Sequence, residues 1–193
     1  MHPMDNDHFY NSVKNYLINC NVDDIVTPIP QGSGVFHIAN VPPEKFSQAW
    51  VSQNAGRFSD EGQKVRYYAN QFDVCSREIG YPPGTDPSGV VFIAAELRET
   101  TNVIDVHKLP SSLNCELYVD KDPATKWDKS HLLMQAVRED GRFSDTHGAY
   151  FPSASGQALG TGGSCLALFE EPIPTNIIGS GDYAWWKSQD KAS

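Results

Sequence analysis

Apolar residues recur at three- and four-residue spacing near the start of the chain. Phe9, Val13, Tyr16 and Leu17 fall on one face, which predicts an amphipathic helix over Asp7–Asn19 with Asn6 or Asp7 as its N-cap. Asp23–Ser33 holds two prolines and reads as a loop. Gly34–Ala39 alternates, with Phe36 and Ile38 to one face and Val35 and His37 to the other, and so predicts a strand. Pro42 and Pro43 end it, and Glu44–Val51 predicts a short helix with Phe46 and Trp50 inward. Val65–Ala69 is a short strand, followed by a helix that carries Glu78. Tyr81–Gly89, with three prolines and two glycines, is a loop. The near-continuous apolar run Gly89–Leu97 is a core strand, and Asn102–Val106 is another. Leu109–Leu113 reads as a connection and Cys115–Val119 as an edge strand.

Asp122–Val137 predicts the second long helix, with Asp122 as cap and Pro123 in the first turn. Gly148–Ser153 runs a strand into a turn, and Gly156–Ser164 is a glycine-rich loop. Cys165–Phe169 is a core strand, Thr175–Ile178 the last one, and Trp185 and Trp186 dock the tail on the body. Short strands mixed with a few helices, without regular βα alternation, predict an α+β fold: a compact mixed β-sheet core with flanking helices. No GxGxxG follows a strand, which argues against a Rossmann unit.

Composition narrows the function classes. At 193 residues the chain is expected to form one domain: an N-terminal helix and loop at 1–33, a core at 34–170 and a tail at 171–193. A net charge of −9 argues against direct nucleic-acid binding, where Lys and Arg must neutralise phosphates. It leaves room for a small anionic ligand, since one local arginine outweighs a diffuse negative field. Cys20, Cys75, Cys115 and Cys165 lie far apart, without metal-ligand spacing, and read as free thiols. No apolar run approaches a membrane span, and the first ten residues lack the regions of a secretory signal. The expectation is a cytoplasmic protein; an effector delivered into a target cell would read the same.

The chemistry concentrates in Gly56–Glu78, GRFSDEGQKVRYYANQFDVCSRE. Arg57 stands in a turn, Tyr67 and Tyr68 in a strand, and Glu78 on the helix behind it. A guanidinium, an aromatic ring and a carboxylate from three short elements suit an anionic, ring-bearing ligand. Taken alone, the same residues read more simply as a surface arginine, two half-buried tyrosines and a solvated glutamate. Tyr68, on the opposite face from Tyr67, reads as core; Lys64 and Arg66 read as solvated. The string GRFSD recurs at Gly141, with different flanks, so composition does not say which arginine matters. The glycine-rich loop lacks the lysine and spacing of a phosphate-binding loop and reads as surface.

These residues resemble the RES-domain family, the toxins of Xre–RES toxin–antitoxin pairs. The resemblance rests on the Gly-Arg-aromatic start at Gly56, a strand tyrosine (Tyr67) eleven residues before Glu78, and Phe151-Pro152-Ser153 ahead of GTGGSCLALF. It spans about Val35 to Phe169 and selects Arg57 over Arg142. It implies an ADP-ribosyltransferase-like fold of the diphtheria-toxin class. NAD⁺ is then the substrate with no further cofactor and no metal, the activity is NAD⁺ breakdown, and the partner is an antitoxin or immunity protein. Some relatives instead transfer ADP-ribose to a macromolecule, and a noncatalytic interaction module on the same fold is the reading from another class. By resemblance Glu78 and Tyr67 are catalytic, and Arg57, His37 and Ser153 hold NAD⁺. His37 stands where RES proteins usually carry an arginine. That departure makes a His37–Tyr67–Glu78 set similar to the His-Tyr-Glu triad of the diphtheria-toxin class.

Overall fold

The computed structural model describes residues 4–39, 57–59, 63–78, 90–119, 128–153, 162–169 and 175–190. Helix α1 (Asn6–Asn19) buries Phe9, Val13 and Leu17 as their spacing requires, but its cap is Asp5, whose carboxylate accepts from the His8 amide. Strands β1 (Val26–Ile29), β2 (Gly34–Ala39), β3 (Val65–Ala69), β4 (Val91–Leu97), β5 (Thr101–Asp105), β6 (Gly148–Pro152), β7 (Ser164–Phe169) and β8 (Thr175–Gly181) form one sheet in the order β1-β5-β6-β7-β3-β2-β4-β8. Every pairing is antiparallel except β5–β6. Helices α2 (Phe72–Glu78), α3 (Ser111–Val119), α4 (Asp128–Glu139) and α5 (Tyr183–Asp190) complete the α+β architecture. No helix among the described residues is long and apolar enough to cross a membrane.

Strand alternation separates two cores. On one face, Ile38, Val65, Tyr67, Ala69, Phe151, Cys165 and Ala167 pack with the buried sides of α1 to α5. On the other, Val35, Tyr68, Ile93, Ala95, Leu97, Val103, Leu166 and Leu168 form a second cluster. That second face curls closed. The Tyr68 hydroxyl on β3 bonds Thr175 Oγ1 on β8 at 3.0 Å, although β2 and β4 lie between those strands. At roughly 4.8 Å per strand, a flat sheet puts them beyond a tyrosine's reach.

The sheet also splits. β2 shares six register pairs with β4 but only Phe36↔Ala69 with β3, while β3 shares five with β7. Two half-sheets thus diverge from one point of contact, and β3 and α2 lie along the divergence.

Several sequence expectations change. The loop expected at Asp23–Ser33 contains β1. Pro28 is tolerated there because β1 lies at the sheet edge, where a missing N–H leaves no ladder partner waiting. The connection Leu109–Leu113 and the strand Cys115–Val119 are instead the single helix α3. Its buried Leu113, Glu116 and Leu117 follow helical spacing, and Pro110 opens its first turn. The helix expected at Asp122–Val137 is seen from Asp128 and runs on to Glu139. Its proposed cap Asp122, with Pro123 and Trp127, lies outside the described residues, as do the helix expected at Glu44–Val51 and the loop at Tyr81–Gly89. Strand β8 continues to Gly181, and the tail folds as α5, whose Trp186 stacks on Phe92 at 5.1 Å. Arg66 is buried, not solvated, and donates to the Tyr68 hydroxyl. Lys129 and Glu116 form a buried ion pair under α1, joined by the Met4 amide at 3.0 Å.

Candidate functional site

The helix-covered face of β3, β6 and β7 gathers Arg57, Tyr67, Glu78 and Ser153. Tyr67 projects from β3 opposite Ala167 of β7, half-buried, with its ring edge-on to Phe151 at 6.4 Å. Its hydroxyl lies 3.1 Å from the Phe58 amide, which donates to it, and 3.1 Å from Ser59 Oγ. The phenol therefore anchors the turn that carries Arg57. Burial pushes its pKa up, against smaller opposing effects that include the Arg57 charge.

The Arg57 guanidinium donates to the Leu117 carbonyl at 3.0 Å and lies over the rings of Phe58 and Phe151, at 5.5 and 5.4 Å. Leu117 is in the last turn of α3, where helix carbonyls lack intrahelical donors, and α3 has no basic residue of its own there. The second GRFSD builds the same local device elsewhere. Arg142 folds over Phe143 at 5.4 Å and donates to the Leu17 and Cys20 carbonyls at the end of α1, which also lacks a terminal cation. The string is thus a local way of capping a neighbouring helix, and only the copy at Arg57 faces the residues gathered here.

Ser153 is fully buried at the end of β6 and donates from Oγ to Glu78 Oε1 at 2.5 Å. Glu78 itself is exposed at the end of α2. A buried hydroxyl thus holds a carboxylate that solvent and ligand can reach. The Ser153 amide donates to the Gly163 carbonyl, and Gly163 has φ +99°. A Cβ on Gly163 meets Val74 Cγ2 at 2.2 Å, so only glycine lets this loop lie against α2. The glycine-rich segment therefore contributes close approach between α2 and β6. Its residues 154–161 lie outside the described ones.

Below the site, Cys75 and Cys165 are buried. Burial first, then the Glu78 carboxylate, pushes the Cys165 thiol up, while Arg57 pulls the other way. Cys75 is pushed up to about 12 by burial. Both stay protonated thiols and are unsuited to nucleophilic work.

His37 lies on the other face. Its ring meets Tyr68 at 6.0 Å, and its Nδ1–H donates to the main-chain carbonyl of Tyr67 at 2.6 Å. It touches the backbone of Tyr67, not its ring, and takes the place of a ladder bond where β2 and β3 diverge. Burial lowers its pKa to about 4, with the nearby Arg66 charge adding to the shift, so the imidazole is neutral at pH 7. The structure brings together four of the five candidate residues and sets His37 in the split. Sequence reading missed Ser59, which is 1% exposed. Its one signal was its place in the string that carries Arg57.

The chain matches the RES domain family over residues 35–185. It belongs to that family. Comparison with curated proteins returns no match. Among solved structures, a chain of the M. tuberculosis MbcT–MbcA toxin–antitoxin complex superposes with a TM-score of 0.54 and 11% identity, covering 95% of this chain and 98% of that one. At that identity the likeness is one of fold. This RES-domain protein thus keeps the fold with little of the sequence, and the match extends past β7 through β8 to Trp185.

Proposed function

We propose that this RES-domain protein is a toxin that binds NAD⁺ and cleaves its nicotinamide–ribose bond by hydrolysis, under the control of a protein antitoxin. The observation that carries this reading is the hydrogen bond from buried Ser153 to Glu78, which joins residues 75 apart in sequence beside Tyr67 and Arg57. In the proposed reaction, the bond between ribose C1′ and the pyridinium nitrogen breaks. Its electron pair leaves with neutral nicotinamide, and positive charge builds on the ribose ring as in glycoside hydrolysis. The Glu78 carboxylate stabilises that charge where it develops, and Ser153 holds the carboxylate ready. The Tyr67 ring offers its face to the nicotinamide, since its hydroxyl is engaged with the Arg57 turn. Arg57, held at the Leu117 carbonyl, presents a planar guanidinium whose fork suits a pyrophosphate. Water bonds to C1′ and releases a proton, giving ADP-ribose. A partner that restrains such an activity is supported by the fold likeness to a chain from a toxin–antitoxin complex.

The test is NAD⁺ loss with purified protein, wild type against Glu78→Gln and Ser153→Ala, quantifying nicotinamide and ADP-ribose. Wild type is expected to release both in equal amounts. Glu78→Gln should lose about 10²-fold or more in rate, the scale of removing a group that stabilises transition-state charge. Ser153→Ala should lose roughly 10- to 100-fold, the worth of one hydrogen bond to a carboxylate. Nicotinamide without matching ADP-ribose would redirect the reading to ADP-ribose transfer onto a macromolecule. No turnover by folded wild type would remove both and leave an interaction module.

A further inference from the structure

Arg57 is fixed from two directions. Its guanidinium is held by the Leu117 carbonyl and the two phenylalanine rings. Its main chain is held one residue on, where the Phe58 amide donates to the Tyr67 hydroxyl, and the Phe58 ring packs on Phe151 at 4.4 Å. Ser59 completes that second anchor. Its Oγ lies 3.1 Å from the same phenol oxygen in a site that is 1% exposed. A phenol oxygen offers two lone pairs and one proton. The Phe58 amide uses a lone pair and Ser59 Oγ takes one of the two positions left, so this oxygen has partners on the turn from two consecutive residues. An oxygen engaged in that way admits one arrangement of the turn where a half-engaged one admits several.

We infer that Ser59 is a positioning residue for Arg57, acting through the Tyr67 hydroxyl: it sets the guanidinium over Phe151, where it meets the anionic part of the ligand. The inference rests on the NAD⁺ reading and assigns Tyr67 a second task, performed by its hydroxyl while the ring faces the ligand.

The experiment is a double-mutant cycle on the full chain. Ser59→Ala is expected to raise KM for NAD⁺ about threefold to tenfold, the equivalent of one neutral hydrogen bond. kcat should stay within about twofold, because uniform binding is what is lost. In an Arg57→Ala background, Ser59→Ala should then leave KM unchanged. A lower melting temperature with unchanged KM would reduce Ser59 to a packing role and overturn the inference. So would a Ser59→Ala effect on KM that persists without Arg57. Should wild type neither bind nor turn over NAD⁺, the functional reading fails by itself. The positioning claim is then decided by NMR exchange of the Arg57 Nε–H: faster exchange in Ser59→Ala supports it, and unchanged exchange refutes it.

Discussion

Each candidate side chain acts through the partner it holds. Glu78 is exposed, yet a hydroxyl with no exposure of its own orients it, so the carboxylate combines access with a fixed direction. His37 is the reverse: its donor is committed to the Tyr67 carbonyl. Its pKa falls from the ordinary 6.5 to about 4 in the folded protein. The unfolded chain therefore takes up a proton at higher pH than the folded one. The stability tied to neutral His37 is complete above pH 6.5 and is lost as pH falls towards 4, by at most about 1.4 kcal/mol per pH unit. Replacing His37 with Gln, which can still donate to the carbonyl, should flatten the dependence of melting temperature on pH in that window. A slope identical to wild type would assign the acid sensitivity to other groups.

At the scale of elements, the two GRFSD strings are the instructive pair. Both arginines cap a helix end that lacks a cation, but only Arg57 stands beside Tyr67 and Phe151. Arg142→Ala is expected to lower the urea midpoint and leave KM for NAD⁺ unchanged. Arg57→Ala should lose similar stability and raise KM roughly 10- to 100-fold as well. Equal effects of the two on KM would undo the distinction. The glycine-rich segment offers a second contrast. Gly162 and Gly163 both have positive φ, but a Cβ at Gly162 finds open space and one at Gly163 strikes Val74. Gly162→Ala should cost about 1 kcal/mol, from backbone conformation alone. Gly163→Ala should cost about 1–3 kcal/mol more, from overpacking against α2, and should slow NAD⁺ cleavage because it separates Ser153 from Glu78.

For the molecule as a whole, one sheet serves two cores. Its curled face is self-contained, while its outer face needs helices from both ends of the chain. The C-terminal helix is part of that cover: Trp186 is buried and stacks on the fully buried Phe92, and Trp185 packs against Gly179 and Gly181. Trp186→Ala is expected to destabilise by about 3–5 kcal/mol, read as a shift of the urea midpoint, with the slope of the transition unchanged. A change below about 1 kcal/mol would mean that α5 is an appendage. β2 and β3 meet at the single register pair Phe36↔Ala69, so each half-sheet keeps its own ladder.

The sequence alone determined the strands β2, β3, β4 and β7, the face of α1, the α+β class and the order of the family residues, because each depends on local period or spacing. It could not place β1, since a proline is permitted in a strand only at an edge, and edges are defined by neighbours. It misassigned α3 because a nine-residue stretch with Leu113, Glu116 and Leu117 turned inward needs the Lys129 pairing to make the buried glutamate tolerable. Arg66 read as solvated for the same reason: only the curl of the sheet shows that its place on β3 is enclosed and that the Tyr68 hydroxyl receives it. Among the candidate site residues, the string GRFSD gave no choice between Arg57 and Arg142, and alternation put His37 and Tyr67 within strands without saying that their side chains leave opposite faces of a shared sheet. Those are relations between strands. They depend on register and twist, which long-range pairing decides and local residue patterns do not encode.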